Sequence, residues 1–287
     1  MLSVRQKIFL ARLLNRALHT VRRLGGRSMT AICRRRAVTW ELDLDEGIDL
    51  AIYLFGAYEP HSLRAYAPLI RPGDTVFDIG ANIGAHTLHF ARLVGPTGRV
   101  FAFEPTDFAV AKLRRNLALN PHLAACVSLQ QCFLLAKRTD KLPPAVPASW
   151  PVGSWHDDLH WGHLGKSKTL IAASATTADE FCATAGIQRI DFVKIDVDGY
   201  EYPVLRGFRQ SLERFRPPIL IEIAPFIFEG AKAEEFDDFV RLLAGLDYTF
   251  SNANTARFVS RDPAVLRRTI ARGGGINALL RPASALV

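Results

Sequence analysis

The sequence predicts an α/β protein of three layers, with helices on both faces of a mostly parallel sheet. Three observations carry that expectation. Short, β-branched apolar runs alternate with stretches of helical period from Thr75 to Leu243. The first run passes through a glycine-rich turn, Gly80-Ala81-Asn82-Ile83-Gly84, into a helix. Turn residues such as Gly95-Pro96 and Asn120-Pro121 close successive units.

The elements follow in order. From Leu2 to Leu24, Ile8, Leu10, Leu13, Leu14, Ala17, Leu18 and Val21 recur at helical spacing with arginines between them. This predicts a basic amphipathic helix ended by Gly25-Gly26. Val38 to Tyr58 alternates as short strands and an approach segment do. Thr75–Ile79 is the first buried strand, and Leu88, Ala91 and Val94 mark the helix after its turn. Val100–Phe103 is the second strand, ending at Glu104-Pro105, and Val110, Leu113 and Leu117 line the next helix. Val127–Leu134, Ile190–Val197 and Ile219–Ile223 read as the third, fourth and fifth strands, with helix around Val204–Phe215. Phe236, Phe239, Val240 and Leu243 mark a last helix before an antiparallel hairpin expected between Tyr248 and Val259. Residues 137–168 break the rhythm with four prolines, three of the four tryptophans and three of the eight histidines. A loop of that length is expected to serve as a lid or binding segment whose rings stack on an apolar or sugar face.

Composition bounds the function. At 49% hydrophobic and 22% charged residues, the chain is an ordinary globular one. The net charge of +8 suggests nucleic acid until its distribution is read. Ten of the 36 basic residues lie in residues 1–40, which hold no acid, leaving 26 against 28 acids in the rest. The body thus lacks the spread positive face that tracks phosphates, and no nucleic-acid partner is expected. Residues 1–36 are expected as an arm making peripheral contact with an anionic membrane, with an organellar transit peptide or a helix packed on the body as alternatives. No run approaches the roughly 20 apolar residues of a membrane span. Cys33, Cys126, Cys132 and Cys182 form no CxxC pair and read as reduced thiols of a cytoplasmic protein.

The chemistry is expected where strands end. Gly80 and Gly84 let backbone approach a ligand, and Glu104, ending the next strand, can accept hydrogen bonds from two ribose hydroxyls. Together they describe a nucleoside site. A dinucleotide enzyme fits the 20-residue separation of Gly84 and Glu104. The turn, however, is GANIG rather than GxGxxG, and Asp78 before it repels a pyrophosphate while suiting a cationic ligand such as S-adenosylmethionine. Lys194 and Asp196 share one side of the fourth strand, and Glu222 ends the fifth. Asp196 is expected as the base or the electrostatic group at the methyl site, Glu222 as its partner and Lys194 as its orienter; a Lys194–Asp196 pair that only supports the sheet edge is the alternative. Asp196, Asp198 and Glu201 lack calcium-loop spacing, and His156, Asp157, Asp158, His160 and His163 match no zinc spacing, so no metal is expected. His86 and His89 read as surface or core residues.

The strings IYLFGAYEP, PGDTVFDIGANIGAHTL, VFAFEP, DFVKIDVDGYEYPVLRG and ILIEIAP occur in the order seen in the FkbM-type methyltransferases, which this chain resembles over roughly residues 40–280. The resemblance implies a class I, Rossmann-like methyltransferase sheet, S-adenosylmethionine as donor, and transfer to an oxygen of a small molecule or glycan. It implies that Asp78, Gly80, Ala81, Asn82, Gly84 and Glu104 hold the cofactor. On that likeness residues 37–287 are the methyltransferase domain, with 137–168 inserted and 1–36 as the arm. Asp198 and Tyr200 stand where Glu and Ala are more usual, a departure that bears on the acceptor. A non-catalytic, membrane-associated nucleoside-binding protein and a NAD-dependent oxidoreductase are the rival readings.

Overall fold

The computed structural model describes residues 4–153, 165–228 and 233–283. The chain opens with helix α1 (Val4–Leu24) and an antiparallel ribbon, β1 (Thr30–Arg35) with β2 (Val38–Asp43). Helices α2 (Gly47–Phe55) and α3 (Pro60–Tyr66) follow, so the second half of the expected approach segment is helical. Then come β3 (Thr75–Ile79), α4 (Thr87–Val94), β4 (Arg99–Phe103), α5 (Asp107–Ala118), the short α6 (Pro121–Ala124) and β5 (Val127–Gln130). The expected third strand breaks at Gln131: β6 (Cys132–Leu134) leaves the main sheet and pairs with β9 (Ser174–Thr176). Inside the insertion, β7 (Ala145–Ser149) and β8 (Lys166–Thr169) form an antiparallel ribbon. The chain continues through α7 (Ala178–Thr184), β10 (Phe192–Ile195), α8 (Glu201–Arg206), α9 (Arg209–Phe215) and β11 (Ile219–Ile223). It ends with α10 (Ala233–Gly245), β12 (Tyr248–Asn252), α11 (Pro263–Thr269) and β13 (Ile276–Pro282).

The main sheet runs β12-β13-β11-β10-β3-β4-β5. From β11 to β5 all pairings are parallel, and β13 is antiparallel to both its neighbours. This is the three-layer sheet that the resemblance implies. The antiparallel end of the sheet is present, but its composition differs from the expected hairpin. Val259 does donate back to Phe250 O at 2.9 Å, yet the strand that pairs along β12 is β13, beyond α11.

Side chains alternate across each strand, so one sheet buries two cores. Phe77, Ile79, Val193, Ile195, Ile219 and Ile221 pack under α7 to α10. Val76, Val100, Phe192 and Leu220 pack on the other face with Trp40, Tyr66 and Phe90. The chain leaves β3 outward through β4 and β5, then returns to β10 on the opposite side. Strand order therefore reverses between β3 and β10, and a crevice opens there at the strands' carboxyl ends.

Helix α1 sits on the body by its polar side. Asn15 Nδ2 donates to Leu44 O at 2.8 Å, His19 Nε2 lies 2.8 Å from Asp45 Oδ1, and Arg22 Nη1 donates to Tyr53 OH at 3.3 Å. The helix packs on α2, and Arg22 Nη2 also donates to Thr30 O of β1 at 3.4 Å. Among the described residues no helix is long and apolar enough to cross a membrane.

Candidate active site

The turn after β3 is pinned to the end of β4. Gly80 N and Ala81 N both donate to Phe103 O at 3.0 Å, and Asn82 N donates to Glu104 Oε2 at 3.0 Å. Gly80 has φ of 82°, and a Cβ there would collide with the carbonyl oxygen of Asp196. No other residue type fits. Asn82 takes a left-handed φ of 48°, which its amide stabilises by accepting from Ile83 N at 2.8 Å. Gly84 lies below the turn, where a Cβ would stand 2.5 Å from Leu113 Cδ1.

Glu104 is buried, with Oε1 accepting from Thr106 N at 2.9 Å and from Thr106 Oγ1 at 2.6 Å. Burial raises its pKa, and the Thr106 and Asn82 hydrogen bonds oppose that rise. Oε2 takes one bond within the chain, which leaves acceptor capacity at the cleft it lines.

Asp78 is placed differently from its expected contact with cofactor. It is wholly buried beneath the turn and lines neither cavity described below. Its Oδ2 accepts from Thr87 Oγ1 at 2.6 Å, while Oδ1 lies 3.6 Å from Lys194 Nζ and has no hydrogen bond. Lys194 Nζ also stands 3.3 Å from Asp196 Oδ2 and 3.4 Å from Gly80 O. Burial works against its charge, but Asp196 and Asp78 outweigh that and hold its pKa above the usual lysine range.

Two cavities meet at this point. A small cleft of about 50 Å³ lies against Glu104, Pro105, Phe133 and Tyr200. A larger cavity of about 430 Å³ reaches Glu59, His86, Lys194 and Glu222. Both are lined by Gly80, Asn82, Asp196 and Asp198, and Ala81 lines the larger. The small cleft puts apolar walls beside a buried carboxylate that can accept from ribose hydroxyls, and the shared acids line both spaces where they join.

Among the described residues that line the two cavities, the acids outnumber the one lysine, Lys194. Burial, then the charges of Asp196 and its neighbours, raises Asp198 and Glu222 well above the ordinary carboxylate range. Glu201, whose oxygens accept from Val197 N at 3.1 Å and Gly199 N at 3.0 Å, is pushed up to about 7, chiefly by burial. Such a cluster favours a cation and disfavours a dinucleotide's diphosphate. A sulfonium ligand over the Gly80 cradle fits the residues present.

The Methyltransferase FkbM domain family matches residues 78–250. The chain belongs to the FkbM methyltransferase family. The 31-O-demethyl-FK506 methyltransferase FkbM of Streptomyces tacrolimicus is 31% identical over 165 residues, covering 50% of this chain and 62% of that protein. The 2-O-methyltransferase NoeI of Sinorhizobium fredii is 25% identical over 173 residues, 54% of this chain and 67% of that protein. The hexuronic acid methyltransferase AglP of Haloferax volcanii is 23% identical over 150 residues, 49% of this chain and 52% of that protein. The chain thus spans between about half and two thirds of the length of these relatives. S-adenosylmethionine is the cofactor of FkbM-type methyltransferases, and the cradle at Gly80 meets that expectation.

In this FkbM-family chain, Lys194, Asp196 and Glu222 line one cavity, whereas the histidine and acid cluster of residues 156–163 lies outside the described residues. Glu201 turns inward, where its oxygens accept from the backbone N–H groups of Val197 and Gly199. Three residues of the site, Glu59, Tyr66 and Asn277, went unassigned in the sequence, and His86, read there as a surface or core residue, is buried beside them. His86 Nδ1 lies 3.1 Å from Tyr66 OH, and its Nε2 is 4.0 Å from Glu59 Oε2. Burial, then Lys194 and His89, lowers the His86 pKa well below its usual value, so the ring is neutral. Glu59 Oε2 also accepts from Asn277 Nδ2 at 2.6 Å, and Asn277 pairs across strands with Glu222. The string IYLFGAYEP contained Glu59; nothing local pointed to Asn277.

Proposed function

We propose that this chain transfers a methyl group from S-adenosylmethionine to a hydroxyl oxygen of a sugar or other small hydroxylated molecule. The observation that carries the reading is Asp196, fixed by Lys194 at the junction of the small cleft beside Glu104 and a larger cavity. The relatives named for 31-O-demethyl-FK506, for 2-O transfer and for hexuronic acid support an oxygen acceptor and a sugar among its forms.

The donor supplies an electrophilic methyl group on a positively charged sulfur. The protein's part is to align an oxygen with it and take one proton. Gly80 and Asn82 set the depth of the donor, and Glu104 holds its ribose. Asp196 accepts the hydroxyl proton as the carbon–oxygen bond forms and the carbon–sulfur bond breaks, so that charge balances without a metal-bound step. Lys194 keeps that carboxylate from rotating away. Glu222, raised toward the protonated form, can donate to the acceptor and set its angle. The body's charge gives no reason to propose a nucleic-acid acceptor.

The test is transfer of labelled methyl from S-adenosylmethionine to hydroxylated acceptors by wild type and Asp196→Asn. Transfer by wild type alone supports the reading. Equal transfer by both removes Asp196 from its role, and calorimetry showing no heat with S-adenosylhomocysteine removes the reading.

A further inference from the structure

The larger cavity does not stop at the acids. From Asp196 and Glu222 it continues outward between α1 and α2, where Leu10, Ala11 and Leu14 face Ala51, Leu54 and Phe55. Its volume of about 430 Å³ falls within the range of roughly 300–1,000 Å³ found for pockets that hold whole small ligands. Polarity is graded along it, with carboxylates and Lys194 at one end and aliphatic side chains at the other.

The seating of α1 explains how this outer half stays open. Because the helix docks chiefly through Asn15, His19 and Arg22, most of its apolar residues, Leu18 excepted, are left uncovered. Leu10 is 48% exposed and Leu13 46%, and at the end of α2 Phe55 is 61% exposed. A helix on a soluble domain ordinarily buries its apolar side and shows water its charges. Here the arrangement is reversed, and the uncovered apolar surface runs without a break into a cavity that ends at the acids. A contiguous patch of this kind marks a binding surface. A docked protein would give no reason for that continuity, whereas a ligand apolar at one end and hydroxylated at the other requires it. Exposed Arg16 and Arg23 on the same helix, with no acid in residues 1–40, suit an anionic surface around the opening.

We infer that the acceptor is an amphiphile, its hydroxylated head at Asp196 and Glu222 and one alkyl, acyl or isoprenoid chain between α1 and α2, drawn from an anionic bilayer on which the rim of α1 rests. The head's placement rests on the methyl-transfer reading; the tail's rests on the channel.

The test titrates methyl, octyl and dodecyl β-D-glucoside, each below its micelle concentration, into the full chain saturated with S-adenosylhomocysteine. Affinity is expected to rise about tenfold or more from octyl to dodecyl, as burial of added methylenes demands. In Leu14→Glu and, separately, Ala51→Trp, which plugs the channel by bulk, the gain is expected to shrink to about twofold or less. Equal affinity for the methyl and dodecyl compounds, or a gain that persists in both variants, overturns the inference. Heat with S-adenosylhomocysteine in each variant reports whether the donor site is intact. Tail-dependent binding without that heat defeats the methyl-transfer reading alone; that heat without tail dependence defeats the amphiphile alone. Flotation of the full chain with phosphatidylcholine vesicles containing phosphatidylglycerol is expected, and tail-dependent binding without flotation overturns the bilayer as source.

Discussion

Lys194 and Asp78 occupy paired positions on β10 and β3 and bury their charges against each other, with Nζ 3.6 Å from Oδ1. The pair lies under the turn that carries Gly80, and Lys194 reaches past it to Asp196. One lysine therefore joins the floor of the donor site to the group proposed to take the proton. Desolvating such a pair costs about as much as its attraction returns, so its value is positional.

Removing one partner exposes that cost. Lys194→Met leaves Asp78 buried without a counter-charge, and the expected loss is about 3–5 kcal/mol of unfolding free energy in denaturant titrations. Thr87 alone still bonds Asp78. A loss below about 1 kcal/mol would show that the buried charge is relieved another way.

Gly80→Ala places a methyl group into the carbonyl oxygen of Asp196. Binding of S-adenosylhomocysteine, followed by calorimetry, is expected to weaken by on the order of 100-fold, since relief of the clash shifts the strand end that lines both cavities. Gly245→Ala is the control: nothing lies within 4 Å of a Cβ there. It should leave the same affinity unchanged.

The pH dependence of stability has a sign that can be checked at Glu201. Its pKa is raised from 4.5 to about 7 in the folded chain, so the folded state holds the proton more tightly than the unfolded. Glu201 thus contributes stability at acid pH that is lost as pH climbs through about 7. Between about pH 5 and about pH 8 the wild type should lose roughly 2–3 kcal/mol relative to Glu201→Gln, which has no proton to lose. Parallel curves for the two proteins would place the proton elsewhere.

The same cluster makes a prediction about ligand charge. Asp198 and Glu222, with pKa values raised by burial and by Asp196, gain their negative charge at higher pH than ordinary carboxylates do. S-adenosylmethionine carries a sulfonium and S-adenosylhomocysteine does not. The ratio of their affinities should therefore shift toward S-adenosylmethionine by about tenfold as pH rises and the two acids ionise. A ratio independent of pH would mean that the acids do not face the sulfur.

What the sequence disclosed, and what it hid, follow the range of the interactions. Gly80, Asn82 and Glu104 were legible because strand, turn and helix are contiguous there, and Lys194 and Asp196 because alternation along one strand sets their side. Glu59 and Asn277 were not, since their 2.6 Å contact joins residues 218 apart in the chain. Strand β13 escaped for the same reason: its sequence, INALLRP, follows a glycine run, and its pairing with β11 and β12 is wholly tertiary. The amphipathic period of α1 was visible, but which side packs was decided by Asn15 finding the carbonyl oxygen of Leu44 and Arg22 the hydroxyl of Tyr53.

Asp196→Asn separates chemistry from architecture more cleanly than any other change in the site. The amide keeps the size of the side chain, and its oxygen can still accept from Lys194, so the turn held through Gly80 should stand. Lys194 retains Asp78 as counter-charge, which limits the loss of stability to about 1 kcal/mol or less. What the amide cannot do is take a proton from a hydroxyl. If that transfer belongs to Asp196, the rate of methyl transfer should fall by about 10²–10⁴ while affinity for S-adenosylhomocysteine changes little. The neutral His86, 4.0 Å from Glu59, is the nearest rival for the proton. A rate unchanged in Asp196→Asn but lost in His86→Phe would move the base from the end of β10 to the start of α4.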